Sequence, residues 1–266
     1  MHLKSLARAV FHIPVCARYK NVQPVCILSV AVRSRTEVPL KKGKAGALAP
    51  DLPTDPFSSW LRRTRQAQKT KKGAVVPCGE CRACCTSAYF IHISPDETET
   101  LARIPKQFVF AAPGLPKGHV VLGYDKNGHC PMFIDNQCSI YEHRPHTCRT
   151  YDCRVFPAAG LTAGQDKPAI TRQAKRWRFT FSSQRDHDYL RAVQAAAKFL
   201  REYAESFPPG FVPINPTQQA VVALNVYDVF LRAPNVSEDG DSAVHIQEMI
   251  EAIVAAYERD ETKRKS

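Results

Sequence analysis

Cysteines crowd one part of this sequence. Eight of its ten cysteines fall between residues 78 and 153, and none occurs after residue 153. Cysteines that serve as small core hydrophobes are scattered rather than clustered in this way. The fold must therefore bring thiols together, and thiol chemistry constrains this chain more than any other feature. The eight positions are Cys78, Cys81, Cys84, Cys85, Cys130, Cys138, Cys148 and Cys153.

Three kinds of site could use these thiols. A disulfide framework requires an oxidising compartment, but the chain shows no clear secretory signal, and the adjacent Cys84 and Cys85 fit a normal bridge poorly. A single Cys-x-x-Cys redox pair would leave six cysteines without a role. Metal ligation uses most of them, because two intervening residues let both sulfurs converge on one cation. The pattern therefore favours metal binding by most of these cysteines.

The identity of the metal stays open at this point. Thiolates bind zinc, Cu⁺ and iron, and eight of them could build two Cys₄ zinc sites or one cluster with spare or bridging ligands. The spacing Cys78-x2-Cys81-x2-Cys84 matches the first three ligands of a ferredoxin-type iron–sulfur run, although Ala88 occupies the usual fourth position. We therefore expect zinc or iron, including an iron–sulfur cluster. Histidines that could substitute as ligands are His92, His129, His143 and His146.

The positive charge lies outside this cysteine segment. The chain carries a formal net charge of +12, and residues 1–72 hold 15 of its 37 basic residues but only three of its 25 acidic residues. The remainder is therefore electrically balanced. A basic total invites a nucleic-acid interpretation, but this distribution argues against it for the folded part. If nucleic acid is bound, residues 1–72 are the segment that we expect to bind it.

The chain divides by composition into four segments. Residues 1–55 are basic and proline-rich, and they predict a disordered extension, a targeting segment or translated sequence upstream of the native start. Residues 56–72 predict a basic helix or linker that begins at Asp55-Pro56, with Asp55 as its N-cap. Residues 73–185 predict the cysteine-cluster domain. Residues 186–260 predict a helical part of that same domain.

Local patterns predict an α+β fold, with short strands in a loop-rich cysteine region packed against C-terminal helices. Strands are expected at 89–93, 119–124 and 177–181, and a hairpin is expected around Asp135-Asn136. Ser94 to Glu97 has the pattern of a capping box, and residues 105–118 read as a loop. Three helices with apolar stripes are expected near Leu190–Leu200, from Asn215-Pro216, and from Asp241 or Ser242.

Three cysteine motifs resemble the YkgJ-type cysteine-cluster family. They are Cys78-Gly-Glu-Cys81-Arg-Ala-Cys84-Cys85, Gly128-His-Cys130-Pro131, and the segment from Cys138 through Tyr141, Arg144-Pro145 and Cys148-Arg149 to Cys153. The resemblance covers roughly residues 75–160. It implies a zinc- or iron-chelating domain in a cytoplasmic bacterial protein, and it places the metal on the eight cysteines. The family includes flagellin lysine N-methylases, but the chain is short and shows no glycine-rich SAM loop.

Two functions follow as hypotheses. The first is a protein that chelates zinc or iron, with no reaction assigned. The second is an iron–sulfur protein acting in electron transfer or in protein lysine N-methylation. Partners are the metal ion and possibly another protein, and no run of about 18 apolar residues predicts a membrane span. Catalytic residues are not identified, because Asp186-His187-Asp188 fits a solvated loop or a helix N-terminus better than a catalytic set.

Arginines frame the later cysteines. Thiolate metal centres are anionic, so Arg144, Arg149 and Arg154 are expected to surround the site and to contact sulfurs or nearby carbonyl groups. Ordinary surface arginines are the alternative. Asp152 is expected to orient a ligand or to pair with an arginine.

Overall fold

The computed structural model describes residues 51–70, 73–74, 76–232 and 243–265. Within these ranges the protein is an α+β structure, which confirms the predicted fold class. The helices are α1 (Phe57–Lys69), α2 (Thr98–Arg103), α3 (His146–Thr150), α4 (Val155–Ala159), α5 (Pro168–Ala174), α6 (Gln184–Glu202), α7 (Pro216–Arg232) and α8 (Ala243–Lys265). The strands are β1 (Leu52–Pro56), β2 (Ile91–Ile93), β3 (Val109–Ala111), β4 (Val120–Leu122), β5 (Phe133–Ile134), β6 (Gln137–Cys138) and β7 (Trp177–Thr180).

The strands form three small sheets. β2, β4 and β3 make an antiparallel sheet in that order, and β5 and β6 make a hairpin. β1 pairs in parallel with β7, so that Leu52 lies opposite Trp177. This last pairing joins the N-terminal side of the described chain to the strand that follows the cysteine segment.

The start of α1 differs from the sequence prediction. Residues 1–50 of the predicted extension lie outside the described residues, but residues 52–56 form β1. Because the strand runs through Pro56, α1 begins at Phe57, and the prediction of Asp55 as its N-cap is wrong. The Asp55 carboxylate pairs instead with Arg63. α1 then buries one stripe at the spacing of an amphipathic helix: Phe57, Trp60, Leu61, Thr64 and Ala67.

The predicted hairpin is confirmed. Asp135 and Asn136 both have positive φ angles, 48° and 60°, and they connect β5 to β6. These angles suit a tight hairpin turn, and Asn and Asp tolerate them better than most residues. The predicted loop at 105–118 is wrong in part, since it contains β3, which is held by pairing with β4. The predicted capping box starts no helix at Ser94; Glu97 does accept the Ser94 N–H at 2.9 Å, but α2 begins at Thr98.

Two hydrophobic cores flank the cysteine region. The main core joins α1, α4, α5, α6, α7, α8 and the β1–β7 pair, and Cys153 is one of its buried members. A smaller core forms under the three-stranded sheet and the hairpin, and Cys130 and Cys138 pack against it. The residues buried in this smaller core are Ile93, Ile104, Leu122, Met132 and Ile140.

The C-terminal helices confirm the three predicted ones. α6 starts with a complete capping box made by Ser183 and Asp186, so Asp186-His187-Asp188 lies at a helix N-terminus. α6 and α7 pack together in the main core through residues such as Val193, Leu200 and Leu224. Among the residues described, no helix combines the length and apolar character needed to cross a bilayer.

Candidate metal centre

The first four cysteines lie on a tight turn. The backbone N–H of Cys81 donates to the carbonyl of Cys78 at 3.0 Å, and Cys85 donates to Arg82 in the same way. Gly79 allows this path because its φ is +53°. A single 3₁₀ turn from Cys84 to Thr86 ends the segment. The sequence Cys-x-x-Cys-x-x-Cys-Cys therefore packs four thiols into a short stretch of backbone.

Arg82 stabilises this turn through hydrogen bonds. Its guanidinium donates to the carbonyls of Gly79 and Cys81 at 3.0 Å, and its Nε donates to the carbonyl of Asn136 at 2.8 Å. Asn136 belongs to the β5–β6 hairpin, so one side chain ties the first cysteine motif to the second. No role was predicted for Arg82. The one feature of the sequence that could have pointed to it is its position inside the cysteine motif, between Cys81 and Ala83.

Backbone hydrogen bonds bring Cys130 and Cys138 to the turn. The N–H of Cys130 donates to the carbonyl of Cys85 at 2.8 Å, and the carbonyl of Cys130 accepts from Phe133 at 2.9 Å. Phe133 pairs with Cys138 across the hairpin. The two cysteines are thus placed by the hairpin that Asp135 and Asn136 allow.

The last two cysteines lie on and after α3. Cys148 is in α3, which begins directly after Pro145, and Cys153 follows the helix. The carbonyl of Arg149 accepts from Ala74 at 2.8 Å, which draws the chain before Cys78 towards α3. Cys153 is 8% exposed, and its Sγ accepts a hydrogen bond from the Trp177 indole at 3.2 Å. Trp177 is a second contributor that the sequence analysis did not identify.

All eight cysteines are free thiols. Cys84 and Cys85 interact directly: their side-chain hydrogen bond is the main cause that lowers the pKa of Cys84 to about 7, and the same bond raises the pKa of Cys85. Burial raises the pKa of Cys148, and the neighbouring thiols of Cys84, Cys130 and Cys138 raise it further. These thiols are therefore electrostatic neighbours.

A second set of thiols lies around Cys78. Partial burial raises the pKa of Cys78 to about 11, and the thiols of Cys84 and Cys81 add to the effect. Burial also raises the pKa of Cys153 to about 12, against the Trp177 hydrogen bond, with smaller contributions from Asp152, Cys78 and Cys81. Cys84 is thus a neighbour both of the thiols around Cys148 and of the thiols around Cys78.

The donor set suits zinc or iron, because thiolates are the ligands that these ions share in closed protein sites. Within the described ranges, no group of three or more His, Cys, Asp and Glu side chains stands in positions that would hold a metal ion. The backbone therefore gathers the segments, whereas the thiols have not closed around a common point.

The four candidate histidines differ in their surroundings. His92 Nε2 lies 2.9 Å from Nδ1 of His119, and Nδ1 of His143 lies 3.1 Å from a carboxylate oxygen of Glu99. The ring of His129 meets Phe133 edge to face. His146 differs from the other three. Its Nδ1 is buried and has no hydrogen-bond partner in the described part of the chain.

The three predicted arginines have separate partners. Arg154 is 3% exposed and pairs with Asp152, which also accepts from the Trp60 indole at 2.9 Å. Arg144 lies over the ring of Tyr141, 3.9 Å from its centroid. Arg154 lowers the pKa of Cys78 and Arg144 lowers that of Cys148, each as a minor cause after burial and neighbouring thiols.

Arg149 faces Glu97 instead, with 3.9 Å between the charged groups. Of the three predicted arginines, Arg144 and Arg154 are therefore the two whose charge lowers the pKa of a thiol. Arg82 acts in the same direction on Cys84. Three arginines thus act on the thiols as predicted, but Arg82 takes the place that was predicted for Arg149.

Comparison with known families identifies this region. Residues 77–177 match the family model CxxCxxCC, described as "Putative zinc- or iron-chelating domain". The match begins one residue before Cys78 and ends at Trp177, so it includes all eight cysteines and the indole that contacts Cys153. No curated protein and no solved structure matches the chain.

Proposed function

We propose that this protein chelates zinc or iron through Cys78, Cys81, Cys84, Cys85, Cys130, Cys138, Cys148 and Cys153. The observation that carries the proposal is that backbone hydrogen bonds link the turn, the hairpin and the α3 segment, which are the segments that carry eight free thiols. Metal binding is also what the matching family description states for residues 77–177. Soft thiolate donors are well suited to both ions.

The neighbour relations support two groups of ligands. Cys85 is joined to Cys130 through the backbone, and Cys138 and Cys148 complete a group beside the smaller core. Cys78 and Cys81 form the other group with Cys153, on the side of the main core. Cys84 adjoins both groups. Two four-thiol sites result if Cys84 joins Cys78, Cys81 and Cys153, whereas one larger centre results if Cys84 bridges them.

The residues around the thiols would help to hold a charged centre. A tetrahedral Zn(Cys)₄ site carries a formal charge of −2, so nearby cations favour it. Arg82, Arg144 and Arg154 are the cations whose charge already reaches the thiols. When bound, the metal would supply cross-links between the segments, and its binding free energy would become folding free energy.

Metal analysis of anaerobically purified protein tests this proposal. We expect zinc or iron to copurify at one or two equivalents per chain, or more iron if a cluster forms. The double variant C85S/C148S should lose a large share of the metal. The matched control C16S/C26S removes two cysteines outside the cluster and should keep the wild-type content. A metal-free wild-type protein that also takes up neither ion on anaerobic reconstitution would overturn the proposal.

The absorption spectrum of the same sample separates the two metals. A colourless protein with stoichiometric zinc supports the structural zinc sites. A brown protein with charge-transfer bands supports the iron–sulfur alternative, in which Cys78, Cys81 and Cys84 act as the ferredoxin-like ligands. The adjacency of Cys84 to both groups of thiols favours neither outcome by itself, so the spectrum decides between them.

A further inference from the structure

A cleft of about 310 Å³ opens on the face made by α1, α6 and α7. It shares no residue with the cysteine centre. Six of its lining residues carry the argument below: Arg62, Arg65, Lys69, Arg185, Tyr189 and Tyr227. The volume falls at the lower end of the range for pockets that hold small molecules.

The lining is strongly positive. It contains four basic residues and no acidic one. One carboxylate lies behind it: Asp260 is 6% exposed and reaches Lys69 at 2.5 Å and Arg65 at 3.4 Å. Across the ranges that the structure covers, neither Arg62 nor Arg185 forms an ion pair. The Asp186 carboxylate also borders the cleft, through its hydrogen bond with the backbone of the lining residue Ser58 at 2.8 Å. The four basic residues therefore still outnumber these two carboxylates, which leaves an excess of positive charge that an anion could neutralise.

Aromatic rings hold two of the cleft's arginine side chains in place. The guanidinium of Arg65 lies 5.3 Å from the ring centroid of Tyr227, and that of Arg185 lies 6.0 Å from the ring centroid of Tyr189. The two tyrosines meet edge to face, with 5.2 Å between centroids. Cation–π contacts of this kind restrict where the guanidinium groups can lie. Their donors are therefore partly positioned before any ligand arrives.

One donor at the cleft lacks an acceptor. The Nε of Arg65 is buried and makes no hydrogen bond within the described chain, although its Nη2 donates weakly to the carbonyl of Asn225 at 3.5 Å. A buried donor without an acceptor costs free energy, because its lost hydrogen bond to water is not replaced. The described part of the fold therefore leaves one donor of a cleft-lining guanidinium unused.

We infer that this cleft binds a small molecule with two or more phosphate-type anionic groups. Guanidinium groups present forked donors that match phosphate oxygens, and such charge-assisted bonds are stronger than neutral ones. Because Tyr189 and Tyr227 already contact guanidinium groups, recognition rests on charge and hydrogen bonds rather than on base stacking. Inorganic pyrophosphate should therefore bind about as well as ATP. This inference is independent of the proposed metal centre.

Calorimetric titration of the full-length protein with pyrophosphate tests the inference. We expect a 1:1 complex at moderate ionic strength. Removing both unpaired cations in R62Q/R185Q should weaken binding by about 10-fold or more, since charge-assisted bonds from two guanidinium groups to the anion are lost. Both side chains are exposed, so the variant should keep its fold, as circular dichroism can verify. The single variants R62Q and R185Q should each give part of the loss.

The matched control is R201Q, which removes one exposed arginine from the far end of α6 and should change the affinity less than about twofold. Titration with ATP and with citrate separates phosphate recognition from general attraction of anions. The inference is overturned if wild-type protein binds no pyrophosphate up to about 1 mM. It is also overturned if R201Q loses as much affinity as R62Q/R185Q, or if citrate binds the wild-type protein as tightly as pyrophosphate does.

Discussion

The indole N–H of Trp177 donates a hydrogen bond to Sγ of Cys153 over 3.2 Å, inside the main core. The bond links the last residue of the matched family region to the last cysteine of the centre. Trp177 lies in β7, which pairs with β1, so the position of this thiol depends on the sheet that joins the two ends of the cysteine segment. A hydrogen bond to a ligand sulfur fixes its orientation and stabilises the thiolate form.

Replacing Trp177 by Phe should therefore weaken metal binding without abolishing it. The variant keeps an aromatic ring but loses the N–H···S bond, and loss of a hydrogen bond of this kind to a metal ligand typically lowers metal affinity on the order of 10–100-fold. Competition with a calibrated chelator measures this change. The matched control is Trp60→Phe, which loses an indole N–H that serves Asp152 rather than a thiol. Equal affinity losses in both variants would contradict a specific role for the Trp177 bond.

Asp152 and Arg154 form a buried ion pair whose two partners are each 3% exposed. Replacing Asp152 by Asn would remove the carboxylate charge that pairs with the buried Arg154 guanidinium. Breaking such a pair typically costs about 3–5 kcal/mol. Urea unfolding of metal-loaded protein should show this loss as a lower midpoint. The control Asp188→Asn removes an exposed partner of Arg191 and should cost less than about 1 kcal/mol. Similar midpoints for both variants would show that the buried pair adds little.

Asp186 connects the N-termini of two helices. Its Oδ1 accepts from the backbone of Ser58 in α1 at 2.8 Å, and its Oδ2 accepts from Ser182 and Ser183 before α6 at 2.9 and 3.0 Å. Although burial opposes it, these hydrogen bonds lower the pKa of Asp186 from 3.8 to about 2. The folded state thus favours the ionised carboxylate, and this stability is complete above pH 4 and is lost as the pH falls towards 2.

Replacing Asp186 by Asn should lower the free energy of unfolding at pH 7 by about 1–3 kcal/mol, because charge-assisted hydrogen bonds become neutral or are lost. The difference from wild type should shrink as the pH falls from 4 to 2, since the wild-type carboxylate is then protonated. Chemical unfolding curves at several pH values measure this. A difference that stays constant down to pH 2 would mean that the charge of Asp186 does not contribute.

Local chemistry explains which parts of the fold the sequence could predict. The turn at Asp135-Asn136 was predictable because two adjacent residues that tolerate positive φ dictate a hairpin. The cap of α6 at Ser183 also depends on neighbouring residues alone, although only the helix, and not its cap, was predicted. β3 was not predictable, because Val109–Ala111 lies between prolines and is a strand only through its pairing with β4. Pairing between distant segments leaves little local pattern.

The candidate site divides in the same way. The clustering and spacing of the cysteines pointed to metal ligation, and the family resemblance extended the candidate ligands to all eight. The supporting contacts could not. Trp177 reaches Cys153 across 24 residues, and Arg82 reaches the hairpin carbonyl of Asn136 across 54. Such contacts depend on how separate elements pack, and they carry no sequence signature of their own.

Metal removal should act on one core more than on the other. Among the described residues, the smaller core buries Ile93, Ile104, Leu122, Met132 and Ile140, whereas the main core spans six helices. A core of this size contributes little stability without a cross-link, so the bound metal would supply much of what holds the region. We therefore expect a chelator to unfold most of residues 75–160 and to leave α6 and α7 folded.

Hydrogen–deuterium exchange with mass spectrometry measures this directly. After chelation, amide protection should fall in β2, β4 and the β5–β6 hairpin, and it should persist in α6 and α7. Restoring zinc or iron under anaerobic conditions should return the protection. The variant C85S/C148S should show the unprotected pattern even before chelation, whereas C16S/C26S should match wild type. Uniform loss of protection across both cores would mean that the metal stabilises the whole protein, and unchanged protection would mean that the smaller core folds without it.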